Sequence, residues 1–223
     1  MLNRELLANR LPDCCEMDVI PVSLCAEREI LALKTFFPEG RSVIVLAHHV
    51  RHALEWLWFP FETERNQVTC AADLHLKTEC EKLVSLLEKR GGHTAIVPYP
   101  GRCGIRFKEI AHKTGLGKMG DNFMFLHQHW GTWTHLRIIV TDLEAAGSLP
   151  PCGEVCTHCG ACKAACPAQV ITDQQLLGAA CDEYQDRQSV LSGLQETLVF
   201  KCEVCARACP IGAAPEKVAI SKC

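Results

Sequence analysis

The feature that most constrains this chain is a run of closely spaced cysteines in its C-terminal third. Cys156, Cys159, Cys162 and Cys166 follow the spacing C-x2-C-x2-C-x3-C, and Pro167 comes directly after them. Cysteine thiolates at this spacing bind 4Fe–4S clusters in bacterial two-cluster ferredoxins, where the fourth cysteine ligates the other cluster of the pair. The motif therefore predicts a second group of cysteines elsewhere in the chain.

That second group follows later in the sequence. Cys202, Cys205 and Cys209 have the spacing C-x2-C-x3-C, and Pro210 comes directly after them. Two 4Fe–4S clusters need about eight thiolates, and the two motifs together supply seven cysteines. One further ligand must come from outside them.

The eighth ligand is specified less tightly by the sequence. Of the 16 cysteines in the chain, Cys181 is our first choice, because it lies between the motifs in the segment that must wrap the second cluster. Cys152 is the alternative, since it lies shortly before the first motif. We predict that the other cysteines are buried thiols, because free Cys packs as a small apolar residue. The adjacent pair Cys14 and Cys15 has no assigned role.

Two other uses of clustered cysteines fit this spacing less well. Zinc sites usually consist of two separated C-x2-C pairs rather than one C-x2-C-x2-C-x3-C-P run. A disulfide framework is typical of secreted proteins, and residues 1–5 do not begin a signal peptide. We therefore predict an iron–sulfur protein of the cytoplasm.

The overall composition argues against some other classes of protein. The net charge of −3 gives no reason to expect a nucleic-acid partner. No apolar stretch approaches the roughly 18 residues that a transmembrane helix needs, so we expect no membrane association. A hydrophobic content of 48% is sufficient for a buried core.

A turn-rich segment at residues 147–151 divides the chain into two parts. We predict an α/β domain for a cofactor or substrate at residues 1–150 and a module with two 4Fe–4S clusters at residues 151–223, so the fold class is α+β. The first part alternates strand and helix patterns, which indicates a sheet with helices packed on it. The predicted strands are residues 19–24, 42–47, 94–97, 123–126 and 135–140, the last two as a hairpin around Gly131, and the predicted helices are residues 73–89, 105–113, 172–180 and 191–200.

A glycine-rich loop is the second informative motif. Gly115, Gly117 and Gly120 lie between a predicted helix and a predicted strand. In a dinucleotide-binding fingerprint the same G-x-G-x-x-G spacing follows a strand and opens a helix, so we reject an NAD site. The loop can bring backbone N–H groups close to another cofactor, or it is a turn without a ligand.

Residues 111–144 and 152–171 together resemble the core of the epoxyqueuosine reductases, which are corrinoid and iron–sulfur relatives of the reductive dehalogenases. The resemblance rests on the glycine loop ending in Asn122, a G-T-W turn, the following T-D-L, and the cysteine module. In that family a lone cysteine followed by x-x-Tyr precedes the last motif, as Cys181 does here. The similarity covers residues 40–210.

This resemblance implies a nitroreductase-like α/β domain that holds a cobalamin, followed by a bacterial two-cluster ferredoxin-like module. It supports Cys181 as the eighth ligand. The implied ligands of the two 4Fe–4S clusters are Cys156, Cys159, Cys162 and Cys209 for one, and Cys166, Cys181, Cys202 and Cys205 for the other. The implied cofactor-binding residues of the loop are Gly115, Leu116, Gly117, Lys118, Gly120 and Asn122.

The chain departs from this family where the reaction would occur. The family has a catalytic Asp upstream of the glycine loop, but residues 98–103 contain no carboxylate, and Gly101 falls at the Asp position. Epoxide reduction needs a proton donor there, and the family's C-terminal helical-repeat region is not found in this sequence. We therefore expect a short form that does not act on tRNA. Tyr99, Arg102 and Cys103 are alternative catalytic candidates, although a packing role under the loop is the favoured interpretation of Tyr99.

Several histidines near the buried strand at residues 42–47 are further candidates. His48 and His49 end that strand and His52 follows closely, so the three could bind a metal, although histidines at strand ends are more often polar caps. The segment Asp73-x-His75 lacks the glycine of the cobalamin-binding motif D-x-H-x-x-G. We therefore do not expect His75 to ligate cobalt.

The two parts of the chain together predict an iron–sulfur oxidoreductase. Electrons would pass from an external donor such as ferredoxin or flavodoxin, through the two clusters, to a corrinoid or small-molecule substrate in the first domain. The alternative is a cobalamin-free two-cluster protein that delivers electrons to a partner, for example a corrinoid protein. Binding of a corrinoid distinguishes between these two functions.

Overall fold

The computed structural model describes residues 2–60, 68–99, 104–173, 175–192, 198–199 and 201–215. In chain order, the helices are α1 (Arg4–Ala8), α2 (Glu27–Phe36), α3 (Ala71–Glu88), α4 (Phe107–Ala111), α5 (Ala161–Ala165), α6 (Gly178–Ser192) and α7 (Val204–Ala208). The strands are β1 (Leu2–Asn3), β2 (Cys15–Pro21), β3 (Ser42–His49), β4 (Trp58–Pro60), β5 (Val68–Cys70), β6 (Thr94–Ile96), β7 (Gly117–Met119), β8 (Phe125–His127), β9 (Thr134–Thr141) and β10 (Ala145–Ala146). Short 3₁₀ turns are found at Val22–Leu24 and Ala53–Trp56.

A four-stranded antiparallel sheet forms the centre of the fold, with the strand order β2-β3-β9-β6. Strand β3 contains the continuous apolar run that predicted a buried strand. It lies between β2 and β9, and all of its residues except His49 are buried. A strand covered by protein on both faces reads as a continuous apolar run rather than an alternating pattern.

Helices cover both faces of this sheet, and each face has its own core. Val43 and Val45 belong to the core that includes α2 and α4, whereas Ile44 and Leu46 belong to the core that includes α1 and α3. Helix α3 forms because apolar residues recur at helical spacing along its buried side, namely Leu76, Cys80, Leu83 and Leu87. The chain leaves this helix through Gly91, whose φ of +80° favours glycine.

The hairpin predicted for residues 123–126 and 135–140 is wrong. Strand β8 pairs with β7, which the glycine loop itself forms, whereas β9 lies in the central sheet between β3 and β6. Gly117 allows β7 to approach β8, because a Cβ at this position would lie 2.0 Å from the carbonyl oxygen of Leu126. Every residue of β9 is buried, so this strand belongs inside the sheet rather than in an exposed hairpin.

The helix predicted at residues 172–180 is also wrong over most of its length. The hydroxyl of Thr172 donates a hydrogen bond to the carbonyl oxygen of Gln175 at 2.8 Å, and the backbone N–H of Gln175 donates back to that hydroxyl at 3.0 Å. Such side chain–backbone bonds compete with a helix and favour a turn. Helix α6 begins only at Gly178.

The helix predicted at residues 191–200 is confirmed only at its start, and the chain is extended near its end. Its first two residues end α6, whereas Val199 forms an isolated antiparallel bridge with Trp58. The N–H of Val199 donates to the carbonyl oxygen of Trp58 at 2.7 Å, so this residue is extended and not helical. Residues 193–197 and 200 lie outside the part of the chain that is described.

A buried carboxylate connects the sheet to two loops. Asp18 of β2 is fully buried. One of its oxygens accepts the backbone N–H groups of Val19 and Leu149, both at 2.8 Å, and the other accepts the N–H of Gly115 at 2.9 Å. Because a buried carboxylate is tolerated only when it is hydrogen-bonded or paired, these bonds hold the glycine loop and the segment around Leu149 against the sheet.

Two glycines allow the cysteine-rich part to pack closely against the first part. Gly131 and Gly212 have φ values of +58° and +79°. A Cβ on Gly131 would lie 1.8 Å from the carbonyl oxygen of Ile211, and one on Gly212 would lie 2.3 Å from that of Trp130. The two backbones therefore meet without room for a side chain at either position.

None of the helices in the described ranges combines the length and the apolar character that a membrane crossing requires.

We expect Gly131→Ala to destabilise the protein by more than the strain of its backbone conformation alone. A left-handed conformation costs a non-glycine residue about 1–2 kcal/mol, and the added Cβ would also meet the carbonyl of Ile211. Gly147→Ala is the matched control, because Gly147 has a φ of +91° but no atom within 4 Å of the place that an added methyl group would take. Urea unfolding under anaerobic conditions, followed by circular dichroism, measures both. Equal losses in the two variants would contradict the close packing.

Candidate functional site

Four cysteines from both motifs line one small cleft. Cys156, Cys159 and Cys162 come from the first motif, and Cys209 comes from the second. Burial raises the pKa of the Cys209 thiol, and the thiolates of Cys156 and Cys159 raise it further. The structure therefore brings together the four cysteines that the resemblance assigns to one cluster, and we call them the first cysteine set.

The other four cysteines form a second cysteine set, consisting of Cys166, Cys181, Cys202 and Cys205. Burial, followed by the thiolates of the other three, raises the pKa of Cys205 to about 11. Cys181 is affected by the same neighbours, since burial and then Asp182, Cys202 and Cys166 raise its pKa. Cys152 is the alternative eighth ligand. Among the described residues, it does not line the cleft of the first set and does not contribute to the pKa shift of Cys205.

Two short helices position the thiols of both motifs in the same way. Helix α5 leads into Cys166 and helix α7 leads into Cys209, and the two helices pack against each other. The N–H of each of these cysteines donates to the carbonyl oxygen three residues earlier, at 3.2 Å in both cases. The proline that follows each cysteine cannot continue a helix, so the chain turns away immediately after the thiol.

The chemistry of both sets fits an iron–sulfur cluster. Cys thiolates are the ligands of 4Fe–4S clusters, four for each cluster. In each set, buried thiols raise one another's pKa and therefore resist ionisation as free groups. A bound metal removes this cost, because a thiol that coordinates a metal is deprotonated and its charge is compensated.

A larger cavity of about 910 Å³ opens to solvent elsewhere on the surface. Its wall is mainly aromatic and apolar, and includes Trp56, Trp58, Tyr99, Phe107 and Met124. The ring of Tyr99 lies 6.3 Å from that of Trp58 and 6.1 Å from that of Phe107. A concave, mainly apolar wall that also carries polar groups is typical of sites for small molecules and cofactors. We call this space the aromatic cavity.

Lys108 connects the aromatic cavity with the second cysteine set. The residue lines the cavity, and its ammonium donates to the carbonyl oxygen of Phe123 at 2.8 Å. Burial lowers the pKa of Lys108, while Glu109 and the thiolates of Cys181 and Cys205 act in the opposite direction. The Lys108 side chain therefore lines the cavity and also interacts electrostatically with thiols of the second set.

A buried ionic network lies behind the cavity wall. Asp73 of α3 accepts hydrogen bonds from Nε2 of His135 at 2.8 Å, from Nε and Nη2 of Arg137 at 2.8 and 2.7 Å, and from the hydroxyl of Thr69 at 3.0 Å. Burial alone would raise the pKa of Asp73, but the bonds with His135 and Arg137 lower it to about 2. The carboxylate is therefore ionised at neutral pH, and it orients the ring of His135, which lines the cavity.

Of the three sequence-predicted catalytic candidates, only Tyr99 lies in the described part of the chain. Its ring contributes to the cavity wall, 4.9 Å from the ring of His135, and the guanidinium of Arg137 lies 5.6 Å from its centre. Burial raises the pKa of Tyr99 above its ordinary range, so the phenol stays protonated. Arg102 and Cys103 lie outside the described residues.

The beginning of the glycine loop packs against protein. A Cβ on Gly115 would lie 2.3 Å from the Cβ of Leu149, and Leu116 is fully buried in the core that includes α2 and α4. Gly117 lies against β8, as described above. The ammonium of Lys118 donates to the carbonyl oxygen of His112 at 3.2 Å. The assignment of these residues to a corrin stays a prediction.

The end of the glycine loop faces the first cysteine set. Gly120 and Asn122 line the cleft of that set, and the side-chain oxygen of Asn122 accepts the N–H of Met124 at 3.1 Å. Between them, Asp121 accepts a hydrogen bond from His158 at 2.8 Å, and its carboxylate lies within 4.8 Å of the Cys156 thiol. Asp121 thus adds negative charge beside this set, and a nearby charge of this kind affects a cluster's potential.

The pairing of Asp73 with His135 and Arg137 is not among the contacts predicted from the sequence. A signal was present in β9, where His135 and Arg137 alternate with apolar residues and so lie on the same face of a buried strand. A guanidinium and an imidazole on one buried face require a hydrogen-bonding, anionic partner. The sequence does not reveal that this partner lies on α3.

No family model matches the chain. Several curated proteins are similar to it, and all three of the following are epoxyqueuosine reductases. The protein from Synechocystis sp. is 30% identical over 188 residues, covering 80% of this chain and 65% of the relative. The proteins from Gloeobacter violaceus and Leadbetterella byssophila are 25% identical over 197 residues and 26% identical over 143 residues, covering 83% and 60% of this chain and 60% and 46% of the relatives. The chain thus spans about half the length of several of the relatives that it matches.

Solved structures show a likeness in fold. An epoxyqueuosine reductase with a tRNA-Tyr epoxyqueuosine-modified stem loop superimposes with a TM-score of 0.67 at 16% identity, over 92% of this chain and 63% of that one. The Bacillus subtilis enzyme, whose catalytic aspartate loop is swung out of the active site, gives 0.64 at 16% identity, over 96% and 65%. A catabolic reductive dehalogenase in complex with 3-bromo-4-hydroxybenzoic acid gives 0.53 at 12% identity, over 78% and 27%. The chain is therefore a homologue of the epoxyqueuosine reductases and has a fold that also resembles a reductive dehalogenase.

Proposed function

We propose that this chain is an iron–sulfur oxidoreductase that carries electrons through two 4Fe–4S clusters to a corrinoid or small substrate in the aromatic cavity. The observation that carries this proposal is the arrangement of eight thiols in two crossed sets, the second of which acts on the cavity-lining Lys108. The electrons would come from an external donor such as ferredoxin or flavodoxin.

The exposure of the two sets supports one direction of electron flow. Cys159 of the first set is exposed, so a cluster held there would be accessible to a protein donor. The second set influences Lys108 at the cavity. We therefore assign the first set to the cluster that receives electrons and the second set to the cluster that delivers them.

The aromatic cavity is the site that we assign to the electron acceptor. Its volume of about 910 Å³ lies near the upper end of the roughly 300–1,000 Å³ of ligand pockets, which suits a bulky ligand such as a corrinoid. Trp58, Tyr99 and Phe107 would pack against its apolar surface, and Lys108 would lie between it and the second set. A corrinoid would supply a metal that accepts electrons one at a time; the described residues would bind it and exclude water.

The protons that a reduction consumes would come from the cavity wall. The family's catalytic Asp position is Gly101 in this chain, so another donor is needed. His135 is oriented by the ionised Asp73, at 2.8 Å, and its ring lines the cavity. Tyr99 stays protonated because burial raises its pKa. We assign the role of proton donor to Tyr99, whose phenol carries the proton, and a positioning role to His135, whose ring lies 4.9 Å from that of Tyr99.

A two-cluster electron carrier without a corrinoid is the second candidate function. The packing of Gly115, Leu116 and Gly117 against protein favours it, because these loop residues are the ones that the family resemblance assigns to the corrin. In that case the clusters would serve a partner protein, for example a corrinoid protein. The size of the aromatic cavity favours the enzyme over the carrier.

The crossed arrangement of ligands predicts which cysteine variants behave alike. We expect Cys209→Ser to disturb the same cluster as Cys159→Ser, and Cys166→Ser to disturb the same cluster as Cys202→Ser, although the sequence places Cys166 in the first motif. Electron paramagnetic resonance of the reduced variants, together with iron per chain, shows which cluster is affected. Cys25→Ala is the control, because Cys25 is buried in the core away from both sets. Identical spectra for Cys166→Ser and Cys159→Ser would contradict the crossed sets.

If the aromatic cavity binds a corrin, substitutions of two neighbouring leucines should affect cobalamin binding differently. Leu176 lines the aromatic cavity, whereas Leu177 is 45% exposed. We expect the anaerobic protein to retain added cobalamin with an altered absorption spectrum, and Leu176→Trp to lose this because the indole fills the cavity. Leu177→Trp should retain it. If no variant, including the natural protein, binds cobalamin while the clusters are intact, the electron-carrier function is supported instead.

We also expect no action on tRNA, since the net charge is −3 and Gly101 replaces the family's catalytic Asp. An epoxyqueuosine-bearing tRNA stem loop, incubated with the reduced protein and cobalamin, should remain unchanged when its nucleosides are analysed by mass spectrometry. An epoxyqueuosine reductase that contains the catalytic Asp serves as the positive control. Conversion to queuosine by this chain would assign it the activity of its relatives.

A further inference from the structure

Four side chains that the iron–sulfur function does not use converge at one edge of the central sheet. They are Cys14 and Cys15 at the start of β2, His48 near the end of β3, and His75 on α3. One potential ligand atom from each lies within 4.8 Å of those of the other three. We propose that these four residues bind a structural Zn²⁺ ion, separate from the clusters and independent of the proposed function.

The distances between the ligand atoms suit a tetrahedral zinc ion. Zinc binds Cys sulfur at about 2.3 Å and His nitrogen at about 2.0–2.1 Å, so a sulfur and a nitrogen on the same ion lie about 3.5 Å apart. The Cys15 sulfur lies 3.5 Å from Nδ1 of His48, and the Cys14 sulfur lies 3.8 Å from Nε2 of His75. Only a small adjustment would bring all four atoms onto one ion.

The backbone explains why the four side chains meet. Cys15 and His48 are register partners in the antiparallel pair of β2 and β3, so their side chains lie on the same face of the sheet. Cys14 precedes the strand in a turn closed by the bond from the Cys15 N–H to the carbonyl oxygen of Pro12, at 2.8 Å. His75 comes from α3, and its ring centre lies 4.8 Å from that of His48.

His48 is already oriented as a metal ligand. Its Nε2 lies 3.2 Å from a carboxylate oxygen of Glu55, while its Nδ1 faces the Cys15 sulfur. Glu55 is itself fixed, because its other oxygen accepts the N–H groups of Arg51 and His52 at 2.7 and 2.9 Å. A carboxylate that holds the far nitrogen of a ligating histidine is the usual support of zinc sites.

The ionisation of the buried ligands is consistent with this assignment. Burial is the main cause that lowers the pKa of His48 to about 4, so its ring is neutral at pH 7, as ligation requires. Burial and the adjacent Cys14 raise the pKa of Cys15 above its ordinary range. Coordination would stabilise the thiolate that burial disfavours.

The set of donors favours zinc over Ca²⁺, Mg²⁺ and a 4Fe–4S cluster. Two sulfurs and two imidazole nitrogens in a tetrahedral arrangement are typical of structural zinc sites, whereas Ca²⁺ and Mg²⁺ prefer oxygen. A 4Fe–4S cluster held by thiolates needs four of them, and only two are present here. A disulfide between Cys14 and Cys15 is disfavoured, because adjacent Cα atoms are about 3.8 Å apart and disulfides usually need at least about 4.4 Å.

A zinc ion at this position would connect α3 and the Ala53–Trp56 turn to the edge of the sheet. His75 lies two residues after Asp73, which holds His135, and Glu55 precedes Trp56 in the cavity wall. The ion would therefore fix two elements that shape the aromatic cavity. Zinc has no redox chemistry of its own, so its role would be structural.

The test is a metal analysis of the full chain, purified anaerobically with its clusters. We expect about one zinc per chain in addition to the iron, and X-ray absorption at the zinc edge should show two sulfur and two nitrogen ligands at about 2.3 and 2.0–2.1 Å. Cys14→Ser and His75→Gln should lose the zinc and keep the iron. His93→Gln and Cys25→Ala should keep both, because neither residue belongs to the four.

A further variant separates the support of the site from its ligands. Glu55→Ala leaves all four ligands in place, and we expect it to weaken zinc binding about 10–100-fold in competition with a chromogenic chelator, with the iron content unchanged. Wild-type protein that contains iron but no zinc would overturn the proposal. Zinc coordinated by four sulfurs would overturn it too, and would place zinc in a cysteine set, which contradicts the iron–sulfur function instead of supporting a separate site.

Discussion

The buried carboxylate of Asp18 is the interaction on which the arrangement of this protein depends. It lies in β2, and its two oxygens accept N–H groups from its own strand, from the glycine loop at Gly115 and from the segment before the cysteine motifs at Leu149. The guanidinium of Arg4 lies 3.8 Å away. A buried carboxylate is costly unless its oxygens accept hydrogen bonds, so these bonds hold the three segments together around Asp18. The start of the cysteine-rich part is thereby held against the sheet.

A second constraint fixes the far end of the cysteine-rich part. The backbones at Gly131 and Gly212 are too close for side chains, and the guanidinium of Arg207 lies 5.0 Å from the centre of the Trp133 ring. With both ends held, the first cysteine set lies against the end of the glycine loop and the second set lies near Lys108. The glycine loop thus serves the packing between the two parts of the chain, whatever it contributes to binding a cofactor.

The features that could be predicted from the sequence are those with local causes. The cysteine spacing brings the thiols of each motif close together. Each motif contains a short helix, α5 or α7, and ends at a proline that turns the chain. The buried strand β3 and the helix α3 follow from continuous and periodic apolar residues. Cys156, Cys159, Cys162 and Cys209 line one cleft, and Cys166, Cys181 and Cys202 act on Cys205, but the assignment of the two sets to two clusters stays a prediction.

The features that could not be predicted depend on residues far apart in the sequence. The strand β9 looked like half of a hairpin, but its pairing with β3 depends on burial of both its faces, which a local pattern does not reveal. Asp73 meets Arg137 across 64 positions, and Cys14 meets His75 across 61. Cys14 and Cys15 had no assigned role and His48 suited a polar cap, because each lacks a nearby partner in the sequence. Only the fold brings these side chains together.

The most direct test of the central claim, that two crossed cysteine sets hold two 4Fe–4S clusters, is Mössbauer spectroscopy of the anaerobically purified, ⁵⁷Fe-enriched chain. Two clusters predict about eight irons per chain, all in the spectra of oxidised cubane clusters, with two sets of sites that become distinct when the protein is partly reduced. A chain with only about four irons, or with iron that shows the spectrum of isolated ions, would contradict the assignment and the electron path that depends on it.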